Sequence, residues 1–146
     1  MSISTIKAQI AVNLANLVTD GVLAGYTTTD LKHDPLKADI PNYPHAYLMP
    51  PAVASNVLDN RSVLRTYTFD IVVMQNAENI TTSDELETLV ENMMNEFDND
   101  PTLGGTALGG VLPVSSSPQP YQHSGKDLVM FILRIEAKAD VSLSFA

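Results

Sequence analysis

Three histidines, His33, His45 and His123, are the side chains best suited to proton transfer or metal ligation near neutral pH. Each lies in or beside a turn or a proline-rich stretch, and none stands at a ligand spacing such as His-Glu-x-x-His. They read as surface histidines unless the fold brings one against carboxylates in a cleft. Asp98 and Asp100 alternate as calcium ligands do, but a calcium loop starting at Asp98 must close on a glutamate at its twelfth position, which is Gly109. That stretch reads instead as a helix stop and turn. The pairs Gly104-Gly105 and Gly109-Gly110 have no neighbouring lysine to complete a phosphate cradle, and Ser115-Ser116-Ser117 lacks the Gly-x-Ser-x-Gly elbow. The chain has no cysteine, which excludes thiol nucleophiles, disulfides and zinc–thiolate sites. The expectation is a non-enzymatic protein with no catalytic residue, no cofactor and no metal.

Charge placement narrows the partners. The net charge is −9. No lysine or arginine occurs between Arg65 and Lys126, while Asp70, Glu78, Asp84, Glu85, Glu87, Glu91, Glu96, Asp98 and Asp100 fall in that interval. Nucleic-acid wrapping rests on basic side chains, so this balance argues against it. It suits solubility, contact with a basic protein surface, or a wall past which DNA slides without sticking.

The elements that must position these groups are legible from periodicity. Ile6, Ile10, Leu14, Leu17 and Val18 recur at helical spacing, and Asp20-Gly21 supplies the stop. Strands are expected at Val22 to Thr29 and His45 to Met49, separated by Asp34-Pro35 and Ile40-Pro41. Residues 50–61 read as polar turn. Val63 to Gln75 alternates Tyr67, Phe69, Ile71 and Val73 with Thr66, Thr68, Asp70 and Val72, the period of a half-buried strand. Thr82-Ser83-Asp84-Glu85 forms a capping box before a second helix with the stripe Leu86, Leu89, Val90, Met93 and Phe97. Glu87 and Glu91 sit opposite that stripe. Glu96 and Asp98 oppose the helix dipole and have no local helical reason to be there. A strand at Val111 to Val114, an extended loop at Ser115 to Pro120, and a closing strand at Leu128 to Ala137 complete the chain. The closing strand begins as a continuous apolar run, as expected if one end is more deeply covered.

The predicted fold is therefore α+β, one domain over residues 1–146. It has a mostly antiparallel, mixed sheet of four to five strands with two helices on one face. The segment between the second and third strands predicts a protruding β-hairpin arm. Loops as long as 50–64 and 103–126 are uncommon in compact domains unless they serve a function or are disordered. Val53, Val57 and Leu58 on this arm, with Arg61 and Arg65, suit contact with the acidic helix face of a neighbouring subunit, at Glu87, Glu91 and Glu96. A flexible hairpin tip is the alternative.

The ordered set Tyr43-Pro44-His45-Ala46-Tyr47, Leu64-Arg65-Thr66-Tyr67-Thr68-Phe69, Asp100-Pro101-Thr102-Leu103-Gly104-Gly105, Gly110-Val111-Leu112-Pro113-Val114 and Lys126 to Phe131 resembles the tail terminator and head–tail joining proteins of long-tailed bacteriophages. The resemblance runs along essentially the whole chain. It implies a virion protein, made in the host cytoplasm, that assembles as a homo-hexameric ring on the last ring of the tail tube. Such a ring stops tube polymerisation and joins the head-completion protein, with DNA passing through its lumen and no membrane involved. Alternatives are a head-closure or tail tube subunit, or a small ligand-binding domain unrelated to phages.

Overall fold

The computed structural model describes residues 3–28, 40, 42–80, 83–103, 113–123 and 125–142. Helix α1, Ile3–Thr19, leads into strand β1, Gly25–Thr28, and then β2, His45–Leu48. Strands β3, Ala52–Val57, and β4, Ser62–Asn76, form a hairpin. A 3-10 turn, Ala77–Asn79, precedes α2, Ser83–Asp98, and β5, Pro113–Ser115, β6, Gln119–His123, and β7, Lys126–Ser142, complete the order.

The spine of the sheet is the β4–β7 ladder, unbroken and antiparallel from Ser62↔Ser142 to Asn76↔Leu128. Each side of this ladder carries two strand segments in tandem, β2 then β3 beside β4, and β6 and β5 beside β7. β1 adds outside β2 in parallel. The sheet is α+β as predicted, but has 7 strands rather than four to five. Two stretches expected to be irregular supply the surplus. Residues 50–61 contain β3, and the loop expected at Ser115 to Pro120 runs into β6. Pro50, Pro51 and Pro118 fall in gaps of the pairing and Pro120 in the outermost strand β6, where a missing N–H costs no ladder bond.

Both tandem edges are broken by a one-residue bulge. Pairing runs to Leu48↔Ile71 and resumes at Ala52↔Thr68, so Met49-Pro50-Pro51 oppose only Phe69 and Asp70. On the far side it runs to Ser115↔Leu133 and resumes at Gln119↔Met130, so Ser116-Ser117-Pro118 oppose Phe131 and Ile132. Ser116 holds its bulge from both sides, its N–H donating to Ile132 O at 2.9 Å and its Oγ accepting from Ile132 N at 2.8 Å. Each bulge exchanges the two faces of its edge strand. Tyr47 and Val53, on one continuous edge, therefore point to opposite sides of the sheet.

One face carries the main core. Ile6, Ile10, Leu14 and Leu17 of α1 and Leu89, Met93 and Phe97 of α2 pack there with Tyr67, Phe69, Ile71 and Val73 of β4 and the odd residues Phe131 to Ala139 of β7. Two helices on one face is the predicted arrangement. The stripes fall where 3.6-residue spacing places them, and Gly21 takes the positive φ of +79° that ends α1. The opposite face holds a smaller core of Ile40, Tyr47, Val72, Met74 and Leu128. That second core is why the start of the closing strand is apolar on both faces. Farther along β7 the same face turns charged, with Arg134, Glu136, Lys138 and Asp140 exposed.

At about 3.4 Å per residue, the 15 residues of β4 span about 50 Å. A compact chain of this length has a radius of gyration near 15 Å, so β4 is too long to stay within it. The excess is the arm. The main core ends at Tyr67 on β4 and Ala139 on β7. Beyond it β3, the start of β4 and the end of β7 continue as a three-stranded extension.

Candidate functional site: the hairpin arm and the acidic helix face

His45 is 3% exposed. β2 lies between β1 and β4 with a core on each face of the sheet, so all four of its residues are buried. The Asn42 amide is oriented by donating Nδ2 to Ala24 O at 3.1 Å. Its Oδ1 therefore accepts from His45 Nδ1 at 2.6 Å, and His45 Nε2 accepts from the Thr27 hydroxyl at 2.8 Å. The neutral ring is satisfied at both nitrogens, and burial pushes its pKa below the ordinary histidine value. Gly25 makes room for this set, since a Cβ there would lie 2.8 Å from Asn42 Oδ1 and 3.2 Å from His45 Nδ1.

A hydroxyl, an imidazole and an amide in line have the order of a nucleophile, a base and its orienting group. A relay also needs a cleft over the hydroxyl. Among the described residues, depressions of about 310 Å³ over Pro120, Tyr121 and Leu128, and about 290 Å³ over Val22, Pro44 and Leu89, include none of the three groups. His45 meets a hydroxyl and an amide, not carboxylates in a cleft. The set ties β1, β2 and the turn at 42–44 together. His33 lies outside the described residues, as does Thr82 of the predicted capping box, and His123 ends β6. Among the described residues no group of three or more His, Cys, Asp or Glu could hold a metal ion, and no helix is long and apolar enough to cross a membrane.

The arm presents the residues singled out in the sequence. Every residue of β3 is exposed, with Val53 at 47% and Val57 at 79%, and Leu58 in the turn is 53% exposed. Register puts Val53, Ser55 and Val57 on the helix-bearing side of the sheet, opposite Tyr67, Arg65 and Val63. Arg65 lies between the small residues Ser55 and Ala139 and is half-buried, while Arg61 is exposed at the turn. The turn is closed rather than loose. Asp59 Oδ1 accepts from Arg61 N at 2.7 Å, Ser62 N at 2.9 Å and Ser62 Oγ at 3.1 Å, and Leu58 N donates to Ser62 O at 3.1 Å. The Arg61 N–H is the first cause holding the Asp59 carboxyl below its usual range, and the Ser62 hydroxyl adds to it.

On α2, Glu87 and Glu91 are exposed one turn apart, as the sequence predicted. Glu96 is different. At about 100° per residue it is turned roughly 140° from Glu91, is half-buried, and accepts from Asn16 Nδ2 at 3.2 Å. It belongs to a polar seam between the helices. Asp100 Oδ2 accepts from Gln9 Nε2 and Asn13 Nδ2, each at 3.2 Å, and Asn13 is 2% exposed. Glu96 thus has a tertiary reason to be at the helix end, one that no local helical rule supplied. Sequence reasoning missed Gln9, Asn13 and Asn16. Their spacing, four then three along α1, was the available signal: a polar row beside the apolar stripe.

Among the described residues neither arginine of the arm is paired with a carboxylate, whereas Arg134 pairs with Asp70 at 2.9 Å. The arm therefore carries Arg61, exposed, and Arg65, half-buried, alongside the acids Asp59 and Asp140, while α2 turns an anionic face outward. A scan against protein-family models finds no match for this chain, and a search of the curated proteins finds no relative.

Proposed function

We propose that this chain is a structural subunit of the neck of a long-tailed phage. In this reading it forms a ring that caps the tail tube, ends its polymerisation and offers a surface to the head-completion protein. The ordered sequence resemblance motivates the reading, and one structural observation supports it above others. The arm outreaches its own domain and carries exposed apolar and cationic groups, in a chain of net charge −9. A ring is a heterologous interface that closes, so it needs two different complementary patches on one subunit. The arm at Val53, Val57, Leu58, Arg61 and Arg65 is one, and the α2 face at Glu87 and Glu91 is the other. Acidic side chains lining a ring would let DNA pass without adhering.

The test is the solution mass of the full chain, read together with electron microscopy. A closed hexamer that grows no further is expected. Reversing both Arg61→Glu and Arg65→Glu should dissociate it, and adding Glu87→Arg and Glu91→Arg should restore it by swapping the charges. An unchanged mass in the first variant would remove the arm from the interface. Open-ended stacks would reassign the chain as a tube subunit, and a monomer that fails to bind tail tubes would end the phage reading.

A further inference from the structure

We infer that the outer edge of β3 is a self-pairing edge, through which two copies of this chain join their sheets about a two-fold axis at Ser55. The Leu58 N to Ser62 O bond fixes which groups of β3 face inward. Hydrogen-bonded pairs alternate along an antiparallel ladder, so Asn56↔Leu64, Ala54↔Thr66 and Ala52↔Thr68 are the inward pairs. Val53, Ser55 and Val57 consequently turn their N–H and C=O groups away from β4. Among the described residues no strand covers them.

The edges of this sheet are unequally protected. β6 contains Pro120 and follows Pro118, and β5 is only 3 residues long and begins with Pro113. Proline and shortness are the ordinary defences of a sheet edge. β3 has 6 residues, Ala-Val-Ala-Ser-Asn-Val, with no proline and no charge. It lies open along its whole length beyond a bulge that has already taken up the local prolines.

The occupant follows from the strand itself. Outward groups must meet outward groups, so each pair joins odd-numbered residues of the two copies. Centring on Ser55 gives Val53↔Val57, Ser55↔Ser55 and Val57↔Val53, each exchanging two main-chain bonds. A centre at Ala54 would set Val57 against Pro51, which has no N–H, and a centre at Asn56 would set Val53 against Asp59, already folded into the turn. The Ser55 register also aligns the exposed valines in cross-strand pairs on the helix-bearing side. It places Ala54 beside Asn56 of the other copy on the opposite side, with no like charges opposed. The contact is small, so its dissociation constant is expected on the order of micromolar. It uses main-chain groups and does not depend on the ring reading, because a two-fold contact alone cannot close a six-fold ring.

The experiment measures the mass of the full chain by sedimentation up to high micromolar concentration, for the native sequence and Ser55→Pro. Proline removes an outward N–H and leaves the inward β3–β4 bonds intact. Val57→Lys, at an exposed site, is a second variant. The native chain is expected to be dimeric and both variants to dissociate at least tenfold more readily, with unchanged circular dichroism. Because the chain has no cysteine, Ala54→Cys with Asn56→Cys gives a clean cross-link test. The double variant should oxidise to a linked dimer, whereas Ala54→Cys alone should not. A native monomer, a mass that Ser55→Pro and Val57→Lys leave unchanged, or linking by Ala54→Cys alone would overturn the proposal. A six-subunit mass insensitive to both variants would overturn it while leaving the ring standing. A dimer lost in Ser55→Pro would establish the edge without the ring, and a twelve-subunit mass halved by Ser55→Pro would support both.

Discussion

His45 is neutral in the folded protein because both ring nitrogens are used and burial opposes a charge. Its folded pKa lies below the ordinary value near 6.5 that it regains on unfolding. The unfolded chain therefore binds the proton more readily, and stability falls as pH drops below about 6.5. Thermal denaturation between pH 7.5 and 5.5 should show a falling melting temperature, and His45→Gln should remove that part of the slope. A slope identical in the variant would assign the effect to other groups. A second residue-scale feature is Leu103, fully buried at φ +49°. A left-handed leucine costs about 1–2 kcal/mol, which the burial of its side chain offsets.

Among the elements, α1 and α2 are joined by more than their apolar stripes. Asp100→Ala would leave Asn13 and Gln9 without the carboxylate that accepts from both. An unsatisfied buried donor costs about 1–3 kcal/mol, so the variant should lose that much in chemical denaturation. An effect below about 0.5 kcal/mol would show that water serves those donors instead. The elements themselves were largely legible. Both helices, β2, β4 and β7 announce themselves by period, and the stripe Leu89, Met93, Phe97 is buried as read. β3 was hidden because all its residues are exposed, so no alternation of apolar and polar marks it. β6 was hidden by Pro118 and Pro120, which mark a protected edge as readily as a loop. The Thr27 partner of His45 was illegible because the two meet only through the parallel β1–β2 pairing, while Asn42 reaches the ring from three residues earlier in the turn before β2.

Across the whole molecule, two kinds of contact are proposed, and salt separates them. Between about 0.1 and 1 M salt the screening length falls from about 10 to about 3 Å. The arm–helix contact, built on Arg61, Arg65, Glu87 and Glu91, should weaken steadily over that range. The β3 edge contact, built on main-chain groups and valines, should hold or strengthen. Sedimentation across salt therefore reads out which contact dominates, and a hexamer indifferent to salt would refute the charge-pair basis of the ring. The candidate surface residues were the most legible part of this scale. Val53, Val57, Leu58, Arg61, Glu87 and Glu91 are exposed, Arg65 is half-buried between Ser55 and Ala139, and Glu96 is drawn inward by Asn16.

The one-residue bulge at Met49-Pro50-Pro51 absorbs a change of parity between β2 and β3. Upstream, odd-numbered side chains of the edge point to the small core; downstream, odd-numbered side chains point to the helix-bearing side. Removing a single residue there would leave two residues opposing Phe69 and Asp70, with both flanking registers intact, so Val53 would still stand across from Tyr67 on the helix-bearing side. The bulge thus works as slack in the chain: β2 and β3 each keep their own alignment with β4, and a single-codon deletion between them should leave unchanged the side that Val53 and Val57 face.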